Sequence, residues 1–237
     1  MFNASGALTS LPASSFDTGN ITYAASAFFT SFNSGGALTV LPTGSFNTSK
    51  ISGVVGDQVF SSFNMNGIIP QLPTGSFDFS KITSVGSSFC AHFNDNGKLT
   101  SLPELSFNTS AINTIIDTGR FFDSFNQDGS LTELPINSFK TDSIVNPGSR
   151  FFAAFNQRGA LTSLPVGSFV TTQMISVGSE AGFCAYFNAN GEITYLPVGS
   201  FNLSTHISVE DSYFSAFNSY GALDHLPEGS FDIRNIV

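Results

Sequence analysis

Apolar and polar positions along this chain recur with a period near thirty residues, far longer than that of any single helix or strand. The phrase F-N-x-x-G-x-[LI]-x-x-L-P-x-x-S-F starts at Phe2, Phe32, Phe63, Phe93, Phe125, Phe155, Phe187 and Phe217, at intervals of 30, 31, 30, 32, 30, 32 and 30 residues. A fixed period in this range predicts a repeat solenoid, in which each unit buries its apolar face only against its neighbours. From the F-N Phe to the S-F Phe is 14 residues in every copy, and every change of length falls between the S-F Phe and the next pair of core residues. One side of the coil is held in strict register and the other tolerates insertion.

Each coil reads as a chain of short elements. Leu8-Thr9-Ser10-Leu11 and its seven equivalents predict one strand per coil, stacked as a single parallel sheet of a right-handed solenoid. Pro12 and its equivalents end the pairing, because proline has no N–H to donate. Gly6 and its equivalents are expected at positive φ in the turn that enters the strand. Asn3 and its equivalents through Asn218 are expected to form a ladder that satisfies buried backbone groups. After the S-F Phe, Asp17, Asn47, Asp78, Asn108, Asn202 and Asp232 predict Asx turns. A short second strand follows, as in the segment from Lys81 to Gly86. Core residues three apart, such as Phe29 with Phe32 and Phe122 with Phe125, share one face of a helical turn. Helical turns are therefore expected on the side away from the sheet. The whole chain, 1–237, reads as one solenoid domain and as a fragment of a longer protein, since both ends cut the pattern.

Composition sharpens this picture. The chain holds 27 Phe and no Trp, so aromatic content is architectural; Phe has no polar atom to satisfy in a dry core. Charged residues are 11 % and the net charge is −9, with the basic residues scattered singly. Nucleic acid and anionic membrane are poor partner candidates on that balance, and no nucleic-acid partner is expected. No run of about 18 apolar residues predicts a membrane span. Cys90 and Cys184 stand where other copies carry the second Phe of a pair, which predicts buried, reduced thiols three coils apart. His92, His206 and His225 fall at different positions of the coil, and no nucleophile–base pair, metal-ligand spacing or phosphate-binding glycine loop appears. No catalytic residue, metal or cofactor is expected, and the chain reads as a non-enzyme. A broken column of threonines (Thr9, Thr39, Thr100, Thr132, Thr162, Thr194) raises ice binding as a minor alternative.

Leu99-Thr100-Ser101-Leu102-Pro103, followed by Ile-x-x-Val-Gly and a Phe-rich turn, resembles the BspA-like (Treponema-type) leucine-rich repeats in a Phe-rich form with a longer repeat. The resemblance covers essentially the whole chain. It implies a leucine-rich-repeat-like coil, display outside the cell or on a bacterial cell surface, and adhesion or protein–protein interaction as the activity. The implied partner is a protein or cell-surface ligand, and the piece by itself is expected to be monomeric. A structural stalk that holds a distal domain is the competing reading. The position between the Thr column and the second Leu varies freely while the flanking Leu residues stay fixed, which marks a surface free of core constraint. Val40, Gln71, Glu133, Tyr195 and His225 in that column, with Asp224 beside it, are the candidate partner-binding residues, and Tyr195 is the anchor because aromatic residues dominate interface energetics.

Overall fold

Aromatic stacking organises the coils. The computed structural model describes residues 1–116, 119–175, 182–206, 208–209 and 211–236. The F-N rings form one column, with successive rings nearly parallel and their centroids 5.1–5.5 Å apart. The S-F rings form a second, at 5.5–5.9 Å. The columns meet edge to face: Phe107 lies 4.9 Å from both Phe93 and Phe125. Parallel stacking along the axis and T-shaped contact across it is the arrangement that ring quadrupoles favour. A third column of Phe29, Phe60, Phe122 and Phe152 closes the core. Cys90 and Cys184 sit in that third column, both buried and both free thiols. In the coil of Cys90, Phe79 stands where most coils have Thr and restores the lost volume, stacking on Phe60 at 5.4 Å and meeting Phe107 edge-on at 5.3 Å.

No helical turn is found among the described residues. The Phe pairs lie on an arc of overlapping turns in which every fourth residue has positive φ, as at Gln58 (54°), Ser62 (55°) and Asn66 (53°). Left-handed residues at that interval break an α-helix, so the hydrogen bonds run between coils. The N–H groups of Gln58, Phe60, Ser62, Asn64 and Asn66 donate to the carbonyls of Ser87, Phe89, Ala91, Phe93 and Asp95 at 2.8–2.9 Å. Alternate peptide units thus stand along the solenoid axis and point the same way. A three-residue spacing of inward Phe fits this arc as well as it fits a helix, which is why the pattern alone suggested helical turns.

The parallel sheet exists, but not where the sequence placed it. It is built from β1 (Gly53–Val55), β2 (Ile82–Val85) and β3 (Thr114–Ile115), in that order and all parallel. These are the short second strands. The L-x-x-L segments form no regular strand. Leu38 and Leu41 are buried while Thr39 and Val40 between them are both exposed, a period of three where a strand needs two. The physical reason is the Asn side chain. A parallel ladder uses the N–H and C=O of each residue on one neighbouring strand. Leu99 instead donates its N–H to Asn94 Oδ1 (3.2 Å) and its carbonyl accepts from Asn94 Nδ2 (3.4 Å). Only the flanking N–H groups reach the previous coil, as from Thr100 to the carbonyl of Pro70 at 3.0 Å.

The expected asparagine ladder is continuous. Each Nδ2 donates to the Oδ1 of the next coil's Asn, from Asn3 to Asn33 and on to Asn218, at 2.8–3.3 Å. The six Asx turns also form, each carboxylate or amide oxygen accepting the N–H two residues on. The glycines of F-N-x-x-G serve a different purpose from the one expected. None of the eight has positive φ; that role falls to the residue before, such as Asn66 or Asp128. Glycine is required there because a Cβ on Gly97 would lie 2.2 Å from Asn94 Oδ1 and 2.5 Å from the backbone oxygen of Asn64.

Candidate functional site

A regular outward surface covers the L-x-x-L arcs. Two columns face outward there because the Leu residues on either side are fixed inward. The Thr column is tied down: Thr39, Thr100, Thr132, Thr162 and Thr194 donate their hydroxyls to the backbone carbonyl of the preceding coil at 3.1–3.4 Å. These hydroxyl hydrogens are thus committed to bonds along the stack, at exposed positions.

The variable column and its neighbour are exposed at every candidate position: Val40, Gln71, Glu133, Tyr195, Asp224 and His225. They fall in three places. Val40 and Gln71 line one shallow depression of about 380 Å³ on adjoining coils. Tyr195 and His225 approach with ring centroids 5.5 Å apart, and His225 Nδ1 is hydrogen-bonded to Asp224. A strand would point the consecutive side chains of Asp224 and His225 to opposite faces; here both positions face outward and the two side chains meet. Glu133 stands apart, on a groove of about 550 Å³.

Several groups lie outside the six candidate residues. The residue after the Pro is a large exposed aliphatic in three consecutive coils: Ile136 is 78 % exposed, Val166 86 % and Val198 72 %. The available signal was a branched aliphatic residue in three consecutive coils, at a turn position that elsewhere holds Ala, Thr or Glu. On the turn arc, Asp123 is buried and receives two hydrogen bonds from Arg150, Nε at 3.1 Å and Nη2 at 3.2 Å. His92 is bonded through Nδ1 to Asp95 at 3.0 Å, and that hydrogen bond raises its pKa above the ordinary value.

His206 is the one buried histidine among the described residues. It occupies the column of Ile21, Ile51, Ile82, Ile112, Ile144 and Met174, and neither ring nitrogen has a hydrogen-bond partner. Tyr213, which continues the buried column of Phe89, Phe121, Phe151 and Phe183 beside it, has a buried hydroxyl that is also unpartnered. The ring centroids of the two are 6.2 Å apart. Burial lowers the His206 pKa from 6.5 to about 4. A histidine that folds neutral leaves the native state with fewer bound protons than the unfolded chain, so its stability is complete above about pH 6.5 and is lost as pH falls towards 4. The interval is worth roughly 3 kcal/mol. Urea midpoints at pH 7.5 and pH 4 should separate much further for the native chain than for His206→Ile; parallel pH dependence of the two would reject the assignment. Among the described residues no group of three His, Cys, Asp or Glu side chains is placed to hold a metal ion, and no helix is long and apolar enough to cross a membrane.

No family model, curated protein or solved structure matches this chain.

Proposed function

We propose that this protein is a non-enzymatic binding scaffold of leucine-rich-repeat-like, right-handed build, displayed at a bacterial cell surface and mediating attachment through the face over its L-x-x-L arcs. The supporting observation is the division of labour within each coil. Backbone, Asn and Phe columns are spent on the stack, while two outward columns run over consecutive coils, and one of them changes identity at every step. That column presents Tyr195, a rigid and partly exposed aromatic residue, against His225. Aromatic groups with a polar tip are the strongest anchors of protein interfaces. The stalk reading is less favoured, because a spacer gains nothing from exposed aliphatics such as Val166. Tyr195→Ala combined with Glu133→Ala should reduce attachment of the purified chain to host or neighbouring bacterial cells by at least about tenfold, consistent with loss of one hot-spot residue. Unchanged attachment with an unchanged circular dichroism spectrum rejects this face.

A further inference from the structure

We propose that the groove between the fourth and fifth coils binds an extended peptide segment carrying lysine or arginine beside apolar residues. The inference rests on the partner-binding reading of this face and specifies the chemistry of the partner.

The groove has a volume of about 550 Å³, and its walls combine Leu102, Leu105, Leu134 and Ile136 with Glu104 and Glu133. That volume lies in the range of clefts that enclose a few side chains. No lysine or arginine lines it. Among the described residues neither carboxylate forms an ion pair, whereas Asp123, Asp128 and Asp232 elsewhere are matched to Arg150, Arg158 and Arg234. Unpaired carboxylates on apolar walls complement a cation on an apolar stem, which is the character of Lys and Arg side chains.

Leu105 is the second observation. Its column holds Gly44, Gly75, Gly167, Gly199 and Gly229 in five other coils, with φ of 82–87°, and Ser14 (64°) and Asn137 (70°) in the remaining two. Leu105 keeps a φ of 67° and is 51 % exposed. A bulky residue in the left-handed region is strained. It places a half-exposed apolar side chain on the groove wall, where five other coils have glycine.

The length of the occupant follows from the stripe beside the groove. Ile136, Val166 and Val198 continue the apolar edge over the next two coils. From Leu105 to Val198 is three coil steps, about 15 Å at strand spacing, or four to five residues of extended chain. A polypeptide spans that length; a single small cation does not.

The test is fluorescence anisotropy with the full chain and a labelled hexapeptide of alternating leucine and lysine, with a leucine–glutamate hexapeptide as its opposite. Saturable one-to-one binding of the lysine peptide alone is expected. Glu104→Gln with Glu133→Gln should weaken it by about tenfold or more, as loss of close charge partners does. Leu105→Gly should raise the thermal midpoint, because the left-handed strain is gone, and still weaken binding; a merely structural Leu105 would leave affinity unchanged. Absence of saturable binding, or equal binding by the Gln variant, overturns the proposal. Cell attachment measured on the same variants separates the two readings. Intact attachment without peptide binding rejects the groove alone. Peptide binding that the Gln variant loses, in a chain that attaches to no cell, leaves the groove standing and rejects adhesion.

Discussion

Phe125→Ala should destabilise the protein by about 3–5 kcal/mol, the range for removing a fully buried Phe from a core that cannot collapse. Phe125 is completely buried. Its ring stacks on Phe93 at 5.4 Å and Phe155 at 5.3 Å, and meets Phe107 and Phe139 edge-on at 4.9 Å each. Truncation breaks both the column and its contacts across the core. In a solenoid the coils are coupled only to their neighbours, so a defect at a central coil also weakens the coupling of the two halves. The expected result is a lower urea midpoint together with a broadened or divided transition. Phe2 provides the internal comparison. It is 46 % exposed and stacks on a ring on one side only, Phe32 at 5.2 Å. Phe2→Ala should cost about 1 kcal/mol or less, the usual size at a half-exposed position. A loss of similar size at Phe125 would mean that the column does not carry the core.

Residues needed in every coil were legible in the sequence, because repetition isolates them. The Phe columns, the Asn ladder and the Asx turns appear where the pattern placed them. What failed was the assignment of backbone conformation. L-x-x-L-P with a β-branched middle reads as a strand, but the asparagine five residues before the first Leu takes that residue's N–H and carbonyl, and the sheet moves to the following apolar stretch. The three-residue Phe spacing reads as a helical turn, but the left-handed residues that preclude one are Gln58, Ser62, His92 and Arg120, none of which announces positive φ. Such conformations are set by hydrogen bonds between coils, which no local pattern encodes.

The candidate surface was legible for the same reason the fold was. A position that varies between fixed neighbours is exposed, as the five residues chosen on that ground are, and Asp224 beside them. The pairing of Asp224 with His225 and the outward display of Leu105 were not legible, since both depend on backbone angles. The trade of volume between Phe79 and Cys90 was present in the sequence as two departures from their columns within one coil. It becomes intelligible only once the rings of Phe60, Phe79 and Phe107 are seen in contact.

Gly129→Ala should be among the most damaging single substitutions in the chain, although it adds one methyl group. Its Cβ would lie 2.2 Å from Asn126 Oδ1, 2.9 Å from Asn126 Cγ and 2.6 Å from the backbone oxygen of Asn94 in the adjacent coil. A backbone carbonyl locked in the stack cannot move aside, so the Asn126 amide must. That amide holds four bonds: it donates to Asn156 Oδ1 (3.0 Å) and the Leu131 carbonyl (3.3 Å), and it accepts from Asn94 Nδ2 (3.1 Å) and the Leu131 N–H (3.3 Å). All these groups are buried, and each left unsatisfied costs about 1–3 kcal/mol. Disruption of two or three predicts a loss of roughly 4–6 kcal/mol, enough to unfold the central coils of a marginally stable domain. Gly167→Ala separates this steric cause from ordinary glycine flexibility. Gly167 has a φ of 85° and its added methyl would meet only Lys140 Cε, at 3.7 Å. It should cost about 1–2 kcal/mol, the strain of a left-handed alanine. Urea denaturation of the two variants decides the point. Equal losses would show that the ladder does not depend on the space glycine leaves, and a Gly129→Ala chain as stable as the native one would remove the ladder from the account of how these coils hold together.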